Sequence, residues 1–217
     1  MKFRCEIRTW KNIIHLSNQL AQKIKESGFL PDVIIALARG GWVPARIICD
    51  HLGVKDLLSL KVEHWGITAT PDGKARVKYG LPTSLKGKNV LIVDDCVDTG
   101  ESMKIAKEYV KMLGASEIKT ASLQIFDSTP ESLYPDFFVE KLPWKWIIYP
   151  WNYREDLTNL LERIVEKGEI RIDKIPEKLK EEFDVSISLE EAKKLLEEAQ
   201  RRKMVEVCGD VARKYES

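Results

Sequence analysis

The sequence predicts an α/β protein built on a parallel sheet with helices on both faces. Short apolar runs alternate with segments of helical periodicity: DVIIALA at 32–38, LLSLKVEHW at 57–65, NVLIVDD at 89–95 and IKTASLQIF at 118–126. Strand alternating with helix is the pattern of a parallel sheet. Two turns, RGGW after the first run and DDCVDTGES after the third, both fall at the carboxyl ends of strands. Ligands sit there in open sheets of this kind.

Each element has a local reason. From Trp10 to Ser27, the residues Ile13, Ile14, Leu16, Leu20 and Ile24 repeat at helical spacing, and Gly28 supplies the stop. The first strand is followed by RGGW and a helix from about Pro44 to Leu52. After the second strand comes a polar stretch, 66 to 88, rich in glycine and proline and long for a compact domain. It reads either as a lid or as a solvated linker. Glu101 to Leu113 is a helix, and DFFVEKL and KWIIYPW supply short strand-like pieces between 136 and 151. Residues 155 to 167 form an amphipathic helix. Beyond Gly168 the chain is highly charged, and Ser188 with Glu191 forms a capping box for a helix to about Lys203.

Composition limits the function classes. A chain of 217 residues, 44% apolar, buries one sizeable core. With 35 basic and 34 acidic side chains the net charge is +1, which argues against a surface that wraps nucleic acid. No run approaches 18 apolar residues and the N-terminus lacks a leader pattern, so no signal peptide and no membrane span are expected. Cys5, Cys49, Cys96 and Cys208 are scattered without CxxC spacing. That pattern predicts a cytoplasmic setting, with neither a disulfide framework nor a metal cluster.

The segment VLIVDDCVDTGES (90–102) carries the chemistry. A carboxylate pair at a strand end can hold a metal, accept hydrogen bonds from sugar hydroxyls, or serve as a phosphoacceptor. Backbone N–H groups around Gly100, the hydroxyls of Thr99 and Ser102 and a helix start form an anion cradle beside it. Together they describe a sugar-phosphate site. A nucleotide hydrolase would need a GxxxxGK[ST] loop, which the chain lacks. A receiver domain would carry its acidic pair near the N-terminus, not after two βα units.

These residues resemble the phosphoribosyl-diphosphate (PRPP) motif of type I phosphoribosyltransferases: apolar strand, two acids, two variable residues, then D-T-G-x-[ST]. IIALARGGWVPARIICDHLG is similar to the pyrophosphate loop and following helix of the xanthine-guanine subgroup. IFDSTPESLYPDFFVEKLP and KWIIYPWN resemble that subgroup's base-binding hood, so the likeness covers about residues 10 to 153. It implies a parallel-sheet core with a small hood over 1–153, and leaves 154–217 as a C-terminal helical extension.

The resemblance implies a Mg²⁺-dependent enzyme of purine salvage, displacing pyrophosphate from PRPP by a nitrogen of guanine, hypoxanthine or xanthine. Homo-oligomeric assembly is expected. Asp94 and Asp95 would bind the ribose hydroxyls and help place the metal. Asp98, Thr99, Gly100, Glu101 and Ser102 would enclose the 5-phosphate, and Asp98 would also handle the proton on the base's N7. Arg39 and Gly40 would grip pyrophosphate, in a loop where family members often carry a strained peptide. Lys74, Arg76 and Lys78 would serve a lid. Trp146 would stack on the base, the Ile147 backbone would read its edge, and Asn152 would lie near it.

Two departures bear on the base. The subgroup's lysine after the fourth strand is replaced by Asp127 and Ser128, which suit an exocyclic amine better than a carbonyl. Asn152 replaces an acid. Lys141 or Lys145 would be the substitute donor. His15 and His51 read as structural, and His64 lies near the lid. The alternative function is a PRPP-sensing regulator of the same fold without turnover.

Overall fold

A computed structural model describes residues 3–63 and 76–215. Along the chain run β1 (Cys5–Ile7), α1 (Trp10–Glu26), β2 (Val33–Leu37), α2 (Trp42–Leu52), β3 (Asp56–Glu63), β4 (Arg76–Tyr79) and β5 (Asn89–Val97). Next come α3 (Glu101–Met112), β6 (Glu117–Phe126), β7 (Phe137–Leu142), β8 (Trp146–Ile148) and α4 (Tyr153–Val165). The last are β9 (Ile170–Arg171), α5 (Ile175–Phe183), α6 (Leu189–Arg201), β10 (Val205–Cys208) and β11 (Val211–Lys214). These form two compact units, Lys11–Trp144 and Met1–Trp10 with Lys145–Ser217. Contacts thin out at 144/145, ahead of the expected 153/154 division.

The unit Lys11–Trp144 holds a six-stranded sheet in the order β4-β3-β2-β5-β6-β7. All pairings are parallel except β3 with β4. β2 and β5 read as continuous branched apolar runs because both of their faces are covered. Ile35 lies beside Ile92, and with Leu60 these two meet Met103, Ala106 and Val110 of α3. Ile34 and Leu91 point to the opposite face, and α2 packs against β2 and β5. Each such side chain contributes about 1.5–3 kcal/mol when fully buried.

The strand order has a functional consequence. From β2 the chain moves outward to β3, and from β5 it moves outward the other way to β6. The turns after β2 and β5 therefore flank a topological switch point, where open sheets leave a crevice.

The expected loop over 66–88 is in part a strand. Arg76–Tyr79 pairs antiparallel with β3, and Lys78 bonds Glu63 at 2.9 Å. Four residues are too few for periodicity to reveal the strand. His64 and Lys74 lie outside the described residues. His15 is exposed on α1 rather than built into a core, and His51 Nε2 meets Asn18 Oδ1 at 2.9 Å.

In the other unit β1 and β8 pair in parallel, with Cys5 beside Trp146. Phe3, Ile148, Leu157, Leu161, Leu179, Phe183, Leu195 and Leu196 belong to its core. Burial there, with Asp156 adding, pushes the Cys5 thiol up to about 12, which disfavours the thiolate. The extension is not helical throughout, which corrects the expectation. β9, β10 and β11 form an antiparallel sheet in the order β10-β11-β9. A two-residue turn with Gly209 at φ 62° joins β10 to β11, and Glu206 pairs with Arg213 across them at 2.8 Å. Such short, charged strands look in sequence like a solvated helix face.

Ser188 caps α6 as expected, its Oγ accepting the Glu191 N–H at 3.1 Å. The box does not close, because the Glu191 carboxylate accepts the Tyr153 hydroxyl at 2.8 Å. No helix among the described residues is long and apolar enough to cross a membrane. Ser188→Ala is expected to cost about 1 kcal/mol, the usual worth of an N-cap. Urea unfolding followed by circular dichroism measures it, and an unchanged midpoint would remove the cap from the account of α6.

Candidate active site

The turn after β2 is shaped by what it packs against. A Cβ on Gly40 would lie 2.0 Å from Asp95 Oδ2, and one on Gly41 would lie 2.3 Å from the Val93 carbonyl oxygen. Only glycine lets this backbone approach the end of β5 so closely. The Ala38–Arg39 peptide is cis, and Arg39 is exposed. The Trp42 indole N–H donates to Ser59 Oγ at 2.6 Å and ties the start of α2 to β3.

At the end of β5, Asp94 and Asp95 each turn one oxygen onto the backbone. The Asp95 N–H donates to Asp94 Oδ1 and the Cys96 N–H donates to Asp95 Oδ1, both at 2.9 Å. Burial pushes the Asp94 carboxyl well above the usual carboxylate range, and the neighbouring Asp95 charge adds to it. Lys61 on β3 opposes this shift but does not cancel it. Ionisation of Asp94 is thus disfavoured in the ligand-free protein. Among the described residues no three His, Cys, Asp or Glu side chains cluster as a metal cage. Two carboxylates offering hard oxygen donors suit Mg²⁺, which commonly takes one or two carboxylates and completes its shell from substrate phosphates and water.

Beyond β5 the chain turns through Asp98, Thr99 and Gly100 into α3. Gly100 sits at φ 80°, and a Cβ there would come within 2.6 Å of Leu133 Cβ, so glycine is required twice over. Thr99 Oγ1 accepts the Glu101 N–H at 3.4 Å, and the first turn of α3 follows with Ser102. A helix start with N–H groups facing outward favours an anion.

Three residues here were not singled out in the sequence. The Trp144 indole N–H donates to Asp98 Oδ2 at 3.4 Å, and its ring packs on Phe126 with centroids 6.3 Å apart. Thr129, buried, shares its hydroxyl between the Asp98 carbonyl at 2.6 Å and the Val97 carbonyl at 3.0 Å. Lys61 is the third. A lysine inside an apolar strand pattern was a legible signal; the other two meet their partners only through the fold.

Arg39, Gly40, Asp94, Asp95, Asp98, Thr99, Gly100, Glu101 and Ser102 all belong to the unit Lys11–Trp144, on the turn after β2, the end of β5, the turn that follows it and the first turn of α3. Trp146, Ile147 and Asn152 belong to the other unit. There Trp146 is half-buried against the core, and Asn152 precedes α4, its carbonyl accepting the Asp156 N–H at 2.8 Å. The Trp146 N–H donates to the Arg4 carbonyl and the Ile148 carbonyl accepts the Arg8 N–H, both at 3.0 Å. Parallel pairing alternates, so the N–H and C=O of Ile147 point to the other edge of β8. The two candidate replacement lysines are engaged elsewhere. Lys141 bonds Tyr134, lies 5.4 Å from its ring centroid and is drawn toward Asp127, which together raise its pKa. Lys145 is paired with Glu6.

Residues 5–156 match the family model described as the phosphoribosyl transferase domain. The chain is 29% identical to a xanthine-guanine phosphoribosyltransferase of Idiomarina loihiensis over 121 residues, 55% of this chain and 70% of that one. It is 27% identical to xanthine phosphoribosyltransferase 1 of Saccharomyces cerevisiae, covering 66% of this chain and 88% of that one. Among solved structures, a purine phosphoribosyltransferase from Pyrococcus horikoshii aligns with a TM-score of 0.59 and 37% identity, over 68% of this chain and 93% of that one.

Gly40→Ala tests the close approach of the turn after β2 to the end of β5. The new methyl displaces the Asp95 carboxylate, and affinity for PRPP, read by calorimetry, is expected to fall at least about tenfold, or 1.4 kcal/mol. Unchanged affinity in a folded variant would mean that the Gly40–Asp95 contact does not shape the site.

Proposed function

The chain belongs to the phosphoribosyltransferase family, and from that premise we propose that it transfers the phosphoribosyl group of PRPP to a ring nitrogen of a purine base, releasing pyrophosphate. The observation that carries this reading is the acidic pair Asp94–Asp95, with Asp95 close against Gly40 at the switch point, followed after a short turn by the anion-favouring start of α3. One face of that arrangement suits a ribose and its metal, and the other suits phosphate.

The chemistry asks for little covalent work. Displacement at the anomeric carbon passes through a cation-like transition state, so positioning, charge neutralisation and exclusion of water do most of the catalysis. Asp94 and Asp95 accept hydrogen bonds from the ribose hydroxyls and would hold Mg²⁺. Bound there, the ion would supply charge neutralisation for the departing pyrophosphate. Thr99, Gly100, Glu101 and Ser102 surround the 5-phosphate with N–H groups and hydroxyls. Arg39 offers a planar, permanently charged fork to pyrophosphate. Asp98 accepts the N7 proton of the base.

Base recognition falls to Trp146 by stacking, to the outward backbone edge at Ile147, and to Asn152. The relatives above are named for xanthine, guanine or purine, and 6-oxopurines are the first candidates on that ground. Asp127 stands where the subgroup has a lysine, and Lys141 and Lys145 both have other partners. An amine-bearing purine is therefore the main competitor. Residues 1–153 are proposed to carry the chemistry, with 154–217 as an appended segment. The four cysteines are free, which fits the reducing cytosol, and a homo-oligomer is the expected assembly. None of the three relatives is named for regulation without turnover.

Chromatography of reactions containing PRPP, Mg²⁺ and each of adenine, guanine, hypoxanthine, xanthine, uracil and orotate tests the proposal. Nucleoside monophosphate from one or two purines is expected, and its loss in the Asp94→Asn/Asp95→Asn double variant. Adenine as the best acceptor would assign Asp127 to an exocyclic amine. Absence of product from every base, with PRPP still bound, would reject turnover in favour of PRPP sensing.

A further inference from the structure

We propose that Trp144 is a positioning residue for this reaction: its indole N–H holds one carboxylate oxygen of Asp98, so that the other is presented to the proton on the incoming base. The inference rests on the reading of Asp98 as the group that takes that proton.

Asp98 lies on an exposed turn, followed by Thr99 and a glycine at positive φ. A short carboxylate in such a turn samples several rotamers, and a misplaced acceptor is costly when catalysis depends on alignment. Two contacts reduce that freedom. Thr129 shares its buried hydroxyl between the Val97 and Asp98 carbonyls and so pins the backbone. Trp144 reaches the side chain itself, at Oδ2. An indole N–H is a donor with no acceptor capacity, so it occupies one oxygen without competing for the proton.

The platform under Trp144 is firm. Phe126, against which the ring packs, is buried at the end of β6, and the Asp127 N–H donates to the Leu142 carbonyl at 2.8 Å, closing β6 on β7 just before Pro143 and Trp144. The residue is nevertheless 42% exposed, so packing alone is an incomplete reason for a tryptophan here. A phenylalanine would cover Phe126 comparably. What it would lack is the N–H.

That difference is the test. Single-turnover nucleotide formation and the KM for PRPP are measured for wild type, Trp144→Phe, Asp98→Asn and the double variant, with the base found in the acceptor panel. Thermal melting checks that each is folded, and Trp144→Tyr serves as the second ring-retaining variant. Trp144→Phe is expected to slow the single-turnover rate about 3- to 10-fold, the range of a modest charge-assisted hydrogen bond, with KM for PRPP unchanged. In the Asp98→Asn background it should add little, because coupled residues are not additive. An unchanged rate in both ring-retaining variants would overturn the proposal, as would an equal loss with and without Asp98. Asp98→Asn reacting at the wild-type rate would instead fault the role given to Asp98, and the proposal would fall with it.

Discussion

Asp94 and Asp95 stand side by side at the end of a strand buried on both faces, where the charge of Asp95 disfavours ionisation of Asp94. Burial and the Asp95 charge together raise the Asp94 carboxyl despite Lys61 nearby. Carboxylates in this position are a cost to the unliganded protein, since desolvation disfavours the charged form. A ligand carrying hydroxyl donors and a divalent cation would remove that cost. On the proposed function, relief of this imbalance would favour PRPP with its metal.

The sheet supplies the geometry that makes the imbalance useful. β2 and β5 are neighbours in space though α2, β3 and β4 separate them in sequence, and the turn after β2 meets the end of β5 where the strand order reverses. Glycine at 40 and 41 allows the turn after β2 to touch the end of β5, and Gly100 allows the turn after β5 to enter α3 against Leu133. A catalytic residue on either turn is therefore held by packed backbone. The C-terminal half of the site's support, Thr129 and Trp144, comes from the segments flanking β7, and both meet Asp98, the first at its backbone carbonyl and the second at its carboxylate.

Much of this was legible because physical constraints act locally. β2 and β5 announce themselves as unbroken branched apolar runs, which only a doubly covered strand tolerates. DDCVDTGES was legible because a carboxylate pair and a glycine-led helix start have few joint uses. β1, β4 and β9 to β11 were not, since two to four residues do not establish a period. Nor was Trp144. Its partner Asp98 lies 46 residues away, and of the two tryptophans in PWKW sequence likeness favours the other. The contact between Gly40 and Asp95 is likewise a product of strand order and has no sequence signature beyond the glycine itself.

Unfolding of ligand-free wild type and Asp94→Asn by urea at neutral pH tests the central claim most directly. Asparagine keeps an acceptor for the Asp95 N–H but carries no charge. A folded-state pKa raised above the unfolded value means that ionisation costs stability as pH rises through the titration. The variant should therefore unfold at a higher urea concentration than wild type at neutral pH, with the gap closing in acid as Asp94 becomes protonated. A variant less stable than wild type at neutral pH would contradict the claim, and would mean that the acidic pair is already satisfied within the fold.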